Sequence, residues 1–506
     1  MAENAIELKG ICKYFGEVAA NEDISLTLRK GEILSLLGEN GSGKTTLMNM
    51  LSGIYFPDKG EILIDGKEVV IRSPKDAYDL GIGMIHQHFK LVDIFTAAEN
   101  IMLGMDEGPN IFSKDTVAKD IQKLVDRYGF HIDLDKKIYD MSVSEKQTVE
   151  IIKTLYRHAN ILILDEPTAV LTPQETDHLF EVLRKMKEDG KSIIIITHKL
   201  REVLTLSDRV SILRKGHYIG TVDTKDASEQ SLTEMMVGEK VTLSIDRPQP
   251  ENSQVCLKVD GLTCFDEYGV KALDNVSFEA KSGEILGIAG VAGSGQKELL
   301  EAIAGLQHGE GSIIFTDNES GSQNELMGMD PRKIKNMGVS LAFVPEDRLG
   351  MGLVGDMGMT GNMMVRSYRE GLGVMLEQKA PKALSEQIKE DLGVVTPSIS
   401  YPVRRLSGGN VQKVLVGREI ATAPKLLMTA YAVRGLDINT SYAIYHLLNE
   451  QKQKGVAVIY VGEDLDVLLA LSDRIMVMCG GKISGIVDAR TATKEQVGYL
   501  MTQEGA

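Results

Sequence analysis

Nothing in this chain is apolar over a long enough run to cross a membrane. Its longest apolar stretches, such as Ile193–Ile196 and Val456–Val461, have the length of strands, whereas a spanning helix needs roughly 20 residues; any membrane role is therefore peripheral. Cysteine is scarce. Cys256 and Cys264 are eight apart, and neither they nor Cys12 and Cys479 show metal-ligand spacing, so free thiols in a reducing compartment are expected. The N-terminus carries acidic residues early and lacks an apolar core, which excludes a signal peptide. Positive charge is also short: a net charge of −16 argues against a nucleic-acid partner. Hydrophobic residues at 43% and charged residues at 25% are ordinary for globular protein, and 506 residues suffice for two or more domains with separate cores.

What is present is an internal repeat. Gly31-Glu-Ile-Leu recurs as Gly283-Glu-Ile-Leu, and Leu206-Ser-Asp-Arg as Leu471-Ser-Asp-Arg. A period of about 250 residues is domain duplication, since solenoid repeats run far shorter. Residues 238–254 hold Pro248, Pro250, Asn252 and Ser253 among charges and read as a linker. The expected division is residues 1–240, a linker at 241–254, and residues 255–506. Each half alternates short apolar runs with helical patterns, an α/β arrangement. Ile33–Leu37 reads as a strand feeding a glycine loop, Thr45–Ser52 as the start of a helix, and residues 145–157 as a helix. Ile161–Leu164 and Ser192–Thr197 are buried strands ending on Asp165 and His198, and polar residues at strand ends are where α/β sheets place ligands.

The glycine loop is Gly38-Glu39-Asn40-Gly41-Ser42-Gly43-Lys44-Thr45, followed by Thr46. Its glycines let backbone N–H groups and a helix N-terminus approach a phosphate closely. Lys44 supplies charge to the outer phosphates of ATP and Thr45 a hydroxyl for Mg²⁺. Asp165-Glu166, after a buried strand, is the second half of such a site: Asp165 would hold Mg²⁺ and Glu166 would polarise the attacking water. His198 is placed to contact the γ-phosphate, and Gln87 to sense it through Mg²⁺ or water. Phe15 is either a strand-edge aromatic or a platform for an adenine ring. The second half repeats the loop as Gly290-Val-Ala-Gly-Ser-Gly-Gln-Lys, with Gln296 at the lysine and Lys297 at the hydroxyl position. The methionine-rich run Gly350–Gly361 reads as a mobile loop, and Lys379–Lys389 as a solvated helix.

The P-loop, Gln87, Met141-Ser-Val-Ser-Glu, Leu164-Asp-Glu-Pro-Thr and His198, in that order, resemble an ABC-transporter ATPase cassette, and Leu406-Ser-Gly-Gly-Asn resembles the signature loop of a second one. The resemblance spans essentially the whole chain. It implies two tandem P-loop NTPase domains, each with a mixed α/β core, an antiparallel β subdomain and a helical subdomain. It also implies a head-to-tail sandwich, in which each ATP lies between one cassette's P-loop and the other's signature. The Mg²⁺ aspartate and catalytic glutamate of the second cassette then fall on Ala430 and Tyr431, the Gln87 position on Glu346, the His198 position on Glu463, and the stacking position on Tyr268. The first signature has Ser144 in place of its second glycine, while Ser407, Gly408 and Gly409 are intact. Thr172 stands where the family often has aspartate, and Asp437 keeps it. The defects thus share one ATP site and leave the other sound.

Tandem cassettes with a signature ending in asparagine are similar to the ATPases of bacterial importers for simple sugars and nucleosides. Gln87-His-Phe-Lys-Leu-Val, Leu171-Thr-Pro-Gln and Ala430 resemble the nucleoside branch, in which glutamine would stand at Tyr431 and glycine at Ser144. The resemblance implies two integral-membrane permease subunits, an extracytoplasmic nucleoside- or sugar-binding protein, and a place on the cytoplasmic face of the membrane. Two other classes are distinguishable. A soluble two-cassette factor acting on the ribosome would carry a long charged linker and two intact sites. A non-hydrolysing nucleotide-sensing scaffold would leave Lys44, Asp165 and Glu166 idle.

Overall fold

The computed structural model describes residues 3–16, 18–86, 89–103, 114–168, 171–197, 199–238, 245–250, 253–266, 269–291, 293–336, 341–345, 347–368 and 376–503. By their internal contacts the residues form two units, Met1–Thr242 and Leu243–Ala506.

In the first unit, a six-stranded sheet has the spatial order His217–Asp223, Arg209–Arg214, Ile33–Leu37, Ser192–Ile196, Ile161–Asp165, Ile82–Ile85. All neighbours are parallel except the first pair. The central strands are buried at every residue, as strands covered on both faces must be. Alternate side chains serve opposite layers. Ile33, Leu162, Leu164, Ile193 and Ile195 pack with Val149, Ile152 and Leu183 of the helices Val143–Tyr156 and Pro173–Glu188. Leu34, Leu36, Ile161, Ile163, Ile194 and Ile196 pack instead with Leu47 and Met48, and with Ile6, Ile24 and Ile62 of an antiparallel four-stranded sheet. A helical region (Ala97–Met102, Lys114–Tyr128, Val143–Tyr156) completes the unit. The second unit repeats the plan, with its six-stranded sheet ordered Leu341–Val344, Leu426–Ala430, Ala457–Val461, Ile285–Gly290, Arg474–Cys479, Lys482–Asp488.

The repeated tetrapeptides have a physical explanation. Glu32 receives both nitrogens of the Arg209 fork, at 2.8 and 3.1 Å, and Asp208 accepts from the Ile33 N–H at 2.9 Å. In the second unit Arg474 donates to Glu284 at 2.7 Å and Asp473 accepts from Ile285 at 2.9 Å. Each pair of motifs, distant in sequence, ties together the starts of two neighbouring inner strands with charge-assisted bonds.

Two sequence expectations change. The run from Gly350 to Gly361 is largely ordered: Arg348–Gly352 forms a π-helical turn, and a helix runs Met359–Ser367, driven by the burial of Met359 and Met363. The proline-bearing segment after residue 244 is bound to the second unit. Arg247 donates to the Leu469 and Ser472 carbonyls at 2.8 and 2.7 Å, and Lys452, itself paired with Asp473 at 2.8 Å, donates to the Pro248 carbonyl at 2.7 Å.

Candidate functional site

The parallel strands of the first unit end together. Ile33–Leu37 delivers the Gly38–Gly43 loop and the helix Lys44–Leu51. Gly43 caps that helix at φ 95°, and a Cβ there would lie 2.4 Å from the Ala20 carbonyl oxygen, a conformation and an approach that only glycine tolerates. Gly43→Ala is therefore expected to cost about 1–3 kcal/mol of strain and to lower both Tm and ATP binding. Thermal melts with and without ATP check this; a wild-type melt with a wild-type ATP shift would refute it.

Lys44 is buried and curls over its own loop. Its Nζ donates to the carbonyls of Gly38 (2.6 Å) and Glu39 (2.9 Å) and reaches the Ser42 Oγ at 3.4 Å. Burial pulls its pKa below the usual lysine value, while Glu166, Asp165 and Glu39 push it back up. The ammonium is thus held by neutral oxygens of its own loop, at the N-terminus of the helix Lys44–Leu51, where an anion is favoured. Asn40 and Gly41 stand at the exposed tip of the loop, and Thr45 and Thr46 follow on the helix.

Strand Ile161–Asp165 brings Asp165 to this loop, and the Thr45 Oγ1 donates to its Oδ2 at 3.4 Å. Burial, then the neighbouring charge of Glu166, pushes the Asp165 carboxyl up to about 6, against the opposing pull of Thr45 and Lys44. A hydroxyl and a carboxylate whose charge is disfavoured where it stands make an oxygen pair suited to a hard divalent cation. Glu166 occupies left-handed backbone at φ 48° while its N–H donates to the Ile196 carbonyl at 2.9 Å. Nothing in the sequence signals this strained turn. Gln147 and Lys199 brace the next residues through the Pro167 and Thr168 carbonyls, at 2.8 and 2.9 Å. Gln87 and His198 lie outside the described residues, as do Glu346 and Tyr268.

Phe15 is half exposed. Tyr55 meets it edge-on at 5.3 Å, and the Lys13 Nζ lies 5.6 Å from its ring centroid. The sequence reading missed Tyr55, which only the fold brings beside Phe15.

The second unit keeps the frame and fills it with different side chains. Gly295 again caps a helix at φ 95°. Gln296 is buried as Lys44 is, but offers the Val291 carbonyl a neutral amide at 3.2 Å. Lys297 is exposed and turns toward Glu301, at 3.8 Å. Ala430 is buried at the Asp165 position. Tyr431 retains the strained backbone, with φ 50° and its N–H bonded to the Val461 carbonyl at 3.0 Å; the strain therefore belongs to the strand-to-loop turn itself, with or without a glutamate. Glu463 pairs with the Arg434 Nε at 3.0 Å, and that guanidinium lies 5.8 Å from the centre of the Tyr431 ring. The Glu463 carboxylate is thereby compensated by a cation.

The two signature turns differ in what occupies the helix N-terminus. Ser407 caps the helix Gly408–Ile420, and its Oγ accepts from the Asn410 N–H at 3.4 Å and from its Nδ2 at 2.9 Å. Ser142 caps Val143–Tyr156 in a capping box: the Glu145 carboxylate accepts from the Ser142 N–H at 2.7 Å and from Lys136 at 2.8 Å. A carboxylate thus already occupies this helix N-terminus. Val143 and Ser144 stand here where the second turn has Gly408 and Gly409. Thr172 and Asp437 both cap helices, accepting from Glu175 at 3.3 Å and Thr440 at 2.8 Å, so their difference is explained as two good capping residues.

A family model described as ABC transporter matches residues 21–169 and 273–429. The glucose import ATP-binding protein TsgD13 of Haloferax volcanii is 40% identical, over 99% of this chain and 96% of that protein. The guanosine import ATP-binding protein NupO of Bacillus subtilis is 42% identical over 99% and 97%. The nucleoside import ATP-binding protein NupA of Lactococcus lactis subsp. cremoris is 40% identical over 99% and 98%.

Proposed function

The chain belongs to the ABC transporter family, and from that premise we propose that it powers an importer of nucleosides or simple sugars with one hydrolytic and one silent ATP site. The observation that carries this reading is the contrast between two frames of the same topology. One holds a buried lysine, a hydroxyl–carboxylate pair and a glutamate; the other holds Gln296, Lys297, Ala430 and Tyr431.

ATP would bind with its adenine on Phe15 and its phosphates in the loop Gly38–Gly43, against Lys44, with Thr46 at the helix start. Thr45, Asp165 and Gln87 would hold Mg²⁺, which supplies charge neutralisation to the phosphates. Ser407, Gly408 and Gly409 of the second cassette would close on the γ-phosphate. Glu166 would accept a hydrogen bond from the attacking water. The water oxygen would bond to the γ-phosphorus as the bond to the bridging oxygen breaks, the water's proton passing to a phosphate oxygen or to Glu166 and then to solvent, and ADP and phosphate would leave; His198 would steady the γ-phosphate. ATP binding favours the closed pair and hydrolysis reopens it, so the work comes from the differential affinity of ATP for the two states. Two integral-membrane permease subunits, an extracytoplasmic binding protein and a peripheral place on the cytoplasmic face complete the proposal. Consistent with that place, no described helix is long and apolar enough to span a membrane. The nucleoside branch is favoured by Gln87-His-Phe-Lys-Leu-Val, Leu171-Thr-Pro-Gln and Ala430.

The test is a mild-detergent pull-down of the chain from native membranes, with mass spectrometry of proteins and small molecules. Polytopic permeases and a binding protein carrying a nucleoside are expected. A bound sugar would reverse the preference for nucleosides, and ribosomal proteins without a permease would overturn the importer reading. Counting nucleotides bound without turnover tests whether the silent site, which keeps its glycine loop, holds a nucleotide it does not cleave: two per chain would support this, and one would overturn it.

A further inference from the structure

The cassette without hydrolytic residues is three residues longer at one point. From Ile85, the end of its strand, the first unit reaches Val92, whose N–H donates to the Asn100 Oδ1 at 2.7 Å. The second unit runs from Val344 to Val354, whose N–H donates to the matching Asn362 Oδ1 at 2.7 Å. The extra length winds into the turn Arg348–Gly352, capped by the Asp347 carboxylate, which accepts from the N–H groups of Leu349 (3.2 Å) and Gly350 (2.7 Å).

This turn lifts the Arg348 side chain onto the signature. A Cβ added to Gly408 would lie 3.3 Å from the Arg348 Nη1, while Nη2 of the same guanidinium donates to the Arg434 carbonyl oxygen. The next glycine rests on the same neighbourhood: a Cβ on Gly409 would lie 3.1 Å from the Thr440 Oγ1 and 3.3 Å from the Asp437 Oδ2. Both glycines therefore back onto the segment Tyr431–Thr440, the remnant of the catalytic loop. That segment is itself held by the Arg434–Glu463 pair at 3.0 Å and by Arg434 lying over Tyr431. Farther along, the signature helix is tied to the same turn by Arg418, which donates to the Gly352 carbonyl at 2.7 Å. The fork of one arginine can fill the space beneath a glycine and donate to a carbonyl at the same time; a lysine cannot.

We propose that Arg348 is a positioning residue for ATP turnover, clamping the Ser407–Gly409 turn to the Tyr431–Asp437 loop so that this signature turn offers preset phosphate contacts. This rests on the reading that the second signature serves the first P-loop. It gives the vestigial loop a task that survived the loss of its chemistry: Tyr431, Arg434 and Glu463 are its brace.

The test compares Arg348→Ala, Arg348→Lys and Gly408→Asp in the chain purified with its membrane partners. The readouts are kcat and KM for ATP, ATP binding without turnover, and Tm. For Arg348→Ala, kcat is expected to fall about tenfold while KM and ATP binding stay within about twofold, the mark of an interaction realised only on the way to the transition state. Arg348→Lys should recover part of the loss, with Tm unchanged in both. Wild-type kcat in Arg348→Ala alongside a dead Gly408→Asp overturns the positioning role and spares the proposed ATP site. Joint loss of Tm and ATP binding in both arginine variants overturns it too, since the arginine would then only support the fold. Full turnover in Gly408→Asp removes the pairing of signature with P-loop and this inference with it.

Discussion

Glu166→Gln is expected to cut ATP turnover by at least about 100-fold, the scale of a lost general base, while ATP stays bound. Glutamine matches the shape of glutamate, so the strained turn at φ 48° and the bond to Ile196 survive. What goes is the basic oxygen that orients the water. A second effect acts in the same direction. The Glu166 charge is, after burial, the main reason the Asp165 carboxyl is pushed up to about 6. A neutral amide beside it lets Asp165 stay ionised more easily, which strengthens its hold on a cation. Slower hydrolysis and firmer binding together should trap the ATP-bound state, visible as ATP retained through gel filtration. Turnover within a few-fold of wild type would remove Glu166 from the chemistry and leave the scaffold reading standing.

Gly408→Asp is expected to be nearly as damaging, although it lies in the cassette that lacks a metal carboxylate and a base. Its carboxylate would stand at the N-terminus of Gly408–Ile420, beside Ser407, and oppose the γ-phosphate with a like charge. A loss of about 100-fold in kcat is expected, on the scale measured when one oxyanion donor is removed from an active site. An acid placed in the other signature turn, Ser144→Asp, at the position of its second glycine, should alter turnover by no more than about twofold, as for a substitution outside any working site. There the Glu145 carboxylate already bonds the Ser142 N–H and Lys136, so another acid closes nothing that was open. Steady-state ATPase assays on the two variants decide the matter. The reverse result, a dead Ser144→Asp and an active Gly408→Asp, would mean that the cassettes do not pair head to tail.

Arg348 adds a reason for the asymmetry to persist. In the proposed division between the two sites, the loop of the second cassette serves to hold a signature, and Arg434 and Glu463 stand in the second unit where they brace it. The retained left-handed backbone at Tyr431 fits the same logic, since the turn positions the loop whether or not a glutamate follows the strand.

The sequence alone determined the two-unit α/β plan, the strand–loop–helix at Gly38–Thr45, the acidic strand end at Asp165-Glu166, and the mismatch at Gln296, Lys297, Ala430 and Tyr431. These are local features: apolar runs of strand length, glycines at fixed offsets, and residue types whose chemistry does not depend on context. Only the tertiary structure decided what depends on groups far apart in the chain. Glu32 meets Arg209, and Glu284 meets Arg474, because the sheet sets the starts of their neighbouring strands side by side. Tyr55 reaches Phe15 across the antiparallel sheet side of the first unit. Glu145 proves to be the group that fills the first signature, which its place in the motif did not reveal, because a capping box exists only once the helix has formed. The methionine-rich run Gly350–Gly361, read as a loop, stays a loop at 353–358 but enters a helix at Met359, because Met359 and, beyond the run, Met363 find a core to enter. Propensity yields there to burial, and burial is a property of the whole fold.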